Sequence, residues 1–192
     1  MLTTWQSYHG SADAVEFDQA PCIRFTPQAS GHSRHHTPDY WVPPIRVAGW
    51  VRIAEDRGDG PYDGIHLHVG HLGNDRNYVA SLVRRDGQAV ISREYGWRGY
   101  DDMDRVTEGP EFLEHRVYLV RVDWWEDRIV AVVADWTSTK TLEGEIPLEA
   151  GTGPYTGTHR PRIPAGAVGI RGDGLVLQAG LAVRSLPIGQ KP

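Results

Sequence analysis

Hydrophobic and polar residues alternate with a period of two along much of the chain. Ile45, Val47, Gly49, Val51 and Ile53 fall on one side, and Arg46, Ala48, Trp50 and Arg52 on the other. A period of two marks a strand with one buried face. After the turn-rich stretch EDRGDGPYDG, the segment GIHLHVG sets Ile65, Leu67 and Val69 against His66 and His68. NYVASLVRRDGQAVISREY has Asp86-Gly87 between two β-rich runs, a type I′ hairpin signal. A two-residue loop there pairs Leu82 with Ile91, Ala80 with Arg93 and Val79 with Glu94. VYLVRVDWWEDRIVAVVAD predicts a second hairpin turning at Trp125 to Asp127. AVEF and CIRF predict short strands near the N-terminus, and GAVGIRGDGLVLQAGLAVRSL predicts two strands about a Gly-Asp-Gly turn. The expected core is Ile65, Leu67, Val69, Leu82, Ile91, Val51 and Ile53.

The intervening segments are rich in turn formers. Gln28 to Pro44 is expected to be a long loop, and Thr137 to Pro164 to be long loops with one edge strand. The best helix candidate is the short segment Gly109 to His115, with Pro110 near its first turn. There is no internal repeat and no composition break, so residues 1–192 are expected to form one domain. Many short strands separated by turn signals predict a sandwich or barrel.

Composition narrows the function classes. The formal net charge of −5 disfavours a nucleic-acid or anionic-membrane partner, because both need a basic face. No run of about 18 apolar residues is present, so no membrane-spanning helix is expected. Cys22 is the lone cysteine and has no disulfide partner within the chain. MLTTWQSYHG lacks a basic segment followed by an apolar run, so no signal peptide and a cytoplasmic location are expected. Seven Trp, eight Tyr and nine His suit a ligand-facing surface, although buried aromatics of a sandwich core account for many equally well.

The order of segments resembles the concanavalin A-like (laminin-G-like) jelly-roll superfamily, especially its bacterial carbohydrate-associated branches. The resemblance runs from Ile45 to Leu186, through RVAGWVRI, GIHLHVG, NYVASLVRRDGQAVISRE, YLVRVDWWEDRIVAVV and the closing pair of strands. It implies an all-β, two-sheet antiparallel jelly-roll sandwich with a ligand on its concave sheet. Members include lectins, binding modules, glycoside hydrolases and polysaccharide lyases, so the fold implies no single chemistry. The Glu-x-Asp-x-x-Glu strand of the retaining glucanases is absent here. So are the Arg-x-Glu-x-Arg and Gln-Ile-His strands of the alginate lyases, of which SREYG is a faint echo.

Candidate site residues follow from strand parity. His66 and His68 lie about 7 Å apart on the non-core face of one strand. They can serve as general acid and base, or as two legs of a metal site, or be two solvent-facing histidines. On the next hairpin either Glu94, or Arg93 with Tyr95, reaches the ligand face; the bland alternative is a surface ion pair. Trp50 and Arg52, on the polar face of their strand, can stack on a sugar ring or simply pack under a loop. His71 extends the histidine strand, and Trp97 and Tyr100 can rim a cleft. Trp124 and Trp125 read as packing at a distal turn. His32, His35 and His36 with Asp39 match no metal template and read as loop histidines. No transition metal and no cofactor are expected. Calcium, common in the resembled superfamily, has the loop carboxylates Asp59, Asp63, Asp75 and Asp173 as candidates.

The resulting expectation is a carbohydrate-active sandwich that binds a glycan or glycoside, with lyase- or hydrolase-type acid/base catalysis by His66 and His68. Arg93, Glu94 or Tyr95 would assist. The rivals are a non-catalytic carbohydrate-binding module, an enzyme acting on a small non-sugar metabolite in the same cleft, and a structural or interaction protein.

Overall fold

The computed structural model describes residues 4–28, 32–55, 64–72, 76–83, 89–95, 100–106, 115–135, 141–147, 162–173 and 175–187. At 32, 53–55, 76–83, 89–95, 100–106, 141–147, 173 and 175–180 the description is of the backbone. The described residues form strands and turns and no helix.

Two seven-stranded antiparallel sheets face each other. The first has the order β1 (Gln6–His9), β4 (His32–His36), β13 (Ala167–Asp173), β6 (Gly64–His71), β7 (Arg76–Val83), β8 (Ala89–Tyr95), β9 (Tyr100–Val106). The second has the order β12 (Thr141–Pro147), β11 (Arg128–Asp135), β10 (Val117–Trp124), β5 (Ile45–Glu55), β14 (Leu175–Ser185), β3 (Ala20–Thr26), β2 (Ser11–Phe17).

Local chemistry explains the hairpins. Asp18 and Gln19 both have positive φ, 49° and 64°, which is the conformation of a type I′ turn between β2 and β3. The Trp125 amide donates to the Arg128 carbonyl at 2.9 Å and closes the β10–β11 turn where the alternation placed it. One apolar core joins the sheets. Ile65, Leu67, Val69 and Ile170 come from the first, and Phe25, Val47, Val51, Tyr118, Val120, Val122, Trp124 and Ile129 from the second. The expected core residues Ile65, Leu67, Val69 and Val51 are buried there, while the side chains of Ile53, Leu82 and Ile91 lie outside the description. The edge strand expected after Thr137 is β12. Trp124 packs in the core, and Trp125 lies under the Arg128 guanidinium at 5.1 Å. Of the helix candidate only His115 is described, in a turn with φ 63°.

Two expectations are corrected. Gln28 to Pro44 is not one loop, because its middle forms β4, hydrogen-bonded between β1 and β13. Ser33, His35 and Ile170 face the core while Arg34 and His36 face away, and all are buried. Polar composition hid a strand that side chains cover on both faces. The β7–β8 register is also offset by two residues. Ala80 pairs with Ile91, Tyr78 with Arg93 and Asn77 with Glu94. An even offset preserves the parity of every position, so the alternation by itself does not reveal it.

Candidate functional site

The face of the first sheet turned away from the core carries a cluster of basic and imidazole side chains. Register sets Arg34, Arg171 and His66 in one row across β4, β13 and β6, and His36, Gly169 and His68 in the next. Strict alternation would leave His71 on the core face. Between His68 and His71 the register shifts, and Val69 with Gly70 together oppose Val168. Gly70 takes φ 68° in this bulge, a conformation that L side chains rarely adopt. The extra residue inverts the parity and brings His71 onto the face that holds His66 and His68.

The rings then meet. His36 stacks on His71 with centroids 3.5 Å apart and planes 13° from parallel, and its centroid is 5.5 Å from that of His68. Gly169 makes this possible, because a Cβ there would overlap the His36 ring. Tyr8 of the edge strand β1 meets His36 and His71 at 5.1 and 5.9 Å and is itself 53% exposed. On the core side of β4, the Ser7 hydroxyl lies 2.9 Å from His35 Nδ1, and His35 packs on Phe25 at 4.7 Å.

These histidines are not solvent-facing. His66 and His71 are buried, and His36 and His68 are 1% and 0% exposed. Neither ring nitrogen of His36 or of His68 has a hydrogen-bond partner in the structure. Burial favours the neutral imidazole. It pushes His68 well below its ordinary value, with Arg34, His36, His66 and His71 adding to the effect. It pushes His36 down to about 2, helped by His71, Arg34 and His35. His35 is lowered to about 4 by burial and His9. A general acid or base works best near the operating pH, and His68 is held far from it. A neutral imidazole still offers one donor and one acceptor.

Trp50 and Arg52 do not join this cluster. Trp50 and Arg52 lie on the second sheet, on its face away from the core. There Arg52 covers the Phe17 ring at 4.5 Å, and Arg46 grips Asp123 through two bonds of 2.6 Å. The alternation along β5 was right, but the partner sheet cannot be read from it. Arg93, Glu94 and Tyr95 belong to β8, which β7 separates from β6, and Tyr100 opens β9 opposite Glu94. Trp97, Asp59, Asp63 and Asp75 lie outside the described residues, and Asp173 ends β13. Among the described residues no group of three or more His, Cys, Asp or Glu is arranged to hold a metal ion. Stacking explains this for His36 and His71: ligands of one ion aim nitrogens at a common point, whereas these rings lie nearly parallel.

Sequence reasoning missed Tyr8, His35, His36 and Gly169 as parts of one structure. The available signal was the polar alternation His32, Arg34, His36 against Ser33 and His35, which the surrounding Gly and Pro obscured.

No protein-family model matches the chain. No curated protein matches it. Solved structures do. The chain is similar to the carbohydrate-binding module CBM66 from Bacillus subtilis, with a TM-score of 0.65 at 11% identity, over 94% of this chain and 95% of that one. It is similar to the VIP36 exoplasmic/lumenal domain in its Ca2+/Man3GlcNAc-bound form, with a TM-score of 0.63 at 12% identity, over 98% and 86% of the two chains. It is also similar to winged bean acidic lectin complexed with methyl-alpha-D-galactose, with a TM-score of 0.60 at 9% identity, over 94% and 96%. The fold is thus an all-β, two-sheet antiparallel jelly-roll sandwich like that of these structures.

Proposed function

We propose that this chain is a non-catalytic carbohydrate-binding module whose ligand sits on the outer face of the first sheet, at the β1–β4–β13–β6 end. The observation that carries the reading is the end-to-end likeness to a carbohydrate-binding module, 94% of this chain against 95% of that one. The site chemistry agrees. The buried imidazoles of His36 and His71 back the exposed Tyr8 ring, with centroids 5.1 and 5.9 Å from it. Tyr8 supplies an exposed ring of the kind on which the apolar face of a sugar packs, and Tyr40 presents another on the segment that follows β4.

Acid/base catalysis is less well supported. Among the described residues the groups that act on His68 are Arg34 and other imidazoles, and none of them is the carboxylate that would orient a catalytic imidazole and raise its basicity. Calcium remains a proposal by analogy with the calcium-bound form of VIP36, with Asp173 as the candidate on a described strand.

The test is titration of a panel of neutral oligosaccharides by calorimetry, with product analysis of the same mixtures. Saturable binding without bond cleavage is expected. Tyr8→Ala should weaken it at least tenfold while the melting temperature stays within a few degrees. Cleavage of any bound glycan would overturn the non-catalytic reading, and unchanged affinity in Tyr8→Ala would overturn the location.

A further inference from the structure

The edge strand β1 is attached to the sandwich in an unusual way. It is four residues long, all exposed, and its pairing with β4 is irregular between Ser7 and His9. The side-chain ties of Ser7 and Tyr8 end on imidazoles: Ser7 on His35, and Tyr8 on His36 and His71. Those rings are buried, and His36 and His71 are stacked face to face.

We propose that β1 is an acid-released strap, which detaches from β4 when the imidazoles beneath it take up protons and thereby uncovers His36 and His71. This goes beyond carbohydrate binding and does not depend on it.

The surroundings set the direction. On β1 the titratable groups are Tyr8 and His9. On β4 they are Arg34, His35 and His36, and on β13 there is Arg171 opposite Arg34. On β6 they are His66, His68 and His71, while β3 presents the apolar Phe25 to His35. None of these is a carboxylate. A proton added to His35 or His36 therefore meets desolvation and like charge from every side named. Two stacked imidazolium rings at 3.5 Å would repel each other in a medium that screens little. Lifting β1 is the least costly relief, because the strand is short, terminal in its sheet and exposed, and stability is not uniform across a fold. Each histidine that rehydrates on opening makes the open form about tenfold more populated per pH unit below 6.5. For His35 this holds until its folded-state value of about 4.

Hydrogen exchange of the whole chain at pH 7.5, 6.5, 5.5 and 4.5, corrected for intrinsic rates, tests this. Protection of the Gln6–His9 amides should be constant above 6.5. It should then fall about a hundredfold per unit if His35 and His36 both rehydrate. The β10 and β11 amides, which open only when the whole fold does, should stay far better protected than those of β1 at each of these pH values. A pH-independent β1, or β1 amides protected no less than those of β10 and β11 at every pH, would overturn the proposal. In His35→Gln the β1 slope should drop to about tenfold per unit, and an unchanged slope in that variant would also count against it. If the variant does not fold, the wild-type comparison of β1 with β10 and β11 still decides.

Discussion

His71 lies flat on His36, with 3.5 Å between ring centroids, because one bulge and one missing side chain act together. The bulge at Gly70 turns His71 outward, and Gly169 leaves the space that the His36 ring crosses.

The first prediction follows from that space. Gly169→Ala should destabilise the protein by about 1–3 kcal/mol, the usual cost of forcing extra atoms into a packed site. His36→Ala in the same background should recover part of the loss, because the clash is with that ring. Chemical denaturation of the two single variants and the double variant gives the coupling energy. Strict additivity would show that the His36 ring does not occupy the space above Gly169.

Stability should fall in mild acid. His35, His36 and His68 all have folded-state values below the unfolded value of 6.5. Below 6.5 the unfolded chain therefore binds more protons than the folded one. The stabilisation is complete above 6.5 and is lost as pH falls from there towards the folded-state values. His35 and His36 each contribute a slope of about 1.4 kcal/mol per pH unit between 6.5 and 4, and His68 adds to it in the same direction. Denaturant midpoints at pH 7.5, 6 and 5 read this directly, and His68→Ala should make the slope shallower.

The Arg46–Asp123 pair should respond asymmetrically. The Arg46 side chain is 30% exposed and that of Asp123 only 3%. Asp123→Ala leaves a guanidinium that can reach water. Arg46→Ala leaves a buried carboxylate that still has Arg121 at 3.5 Å. Losing a charged hydrogen-bond partner at a buried site costs about 1–3 kcal/mol or more, so Arg46→Ala should be the more damaging of the two. Equal melting temperatures would contradict this.

In the core, Leu67→Ala should cost about 2–5 kcal/mol, because Leu67 is enclosed between Ile170 and the second sheet. His68→Ala should also lower stability at pH 7, contrary to what an outward-facing histidine implies, since it opens a cavity at a fully buried position. A melt comparing the two variants with wild type distinguishes these cases.

Much of the fold was legible because apolar alternation repeats wherever one face of a strand is core, as in β5, β6, β10 and β11. β4 was not legible, because its burial on the outer side is by Arg34 and His36, which no apolar pattern reports. The candidate site was legible only in part. His66, His68 and His71 were found by spacing, but His36, whose ring meets those of His68 and His71, comes from a distant segment and reaches them across β13. Trp50 and Arg52 were placed on the correct side of their strand and assigned to the ligand face. Parity states which side of a strand a residue occupies and says nothing about which sheet that strand joins.

The last two strands occupy interior positions in different sheets. β13 separates β4 from β6, and β14 separates β3 from β5. During synthesis on the ribosome, β3 and β4 therefore emerge long before the strands that will hold them. The first sheet cannot close until β13, which ends at Asp173, has left the exit tunnel, and the second not until β14, which ends at Ser185, has followed. Such late, non-local pairing makes folding slow and leaves open strand edges in the growing chain. Nascent chains stalled before Ala167 should thus be held by chaperones or degraded, whereas those released after Ser185 can complete both sheets in one step.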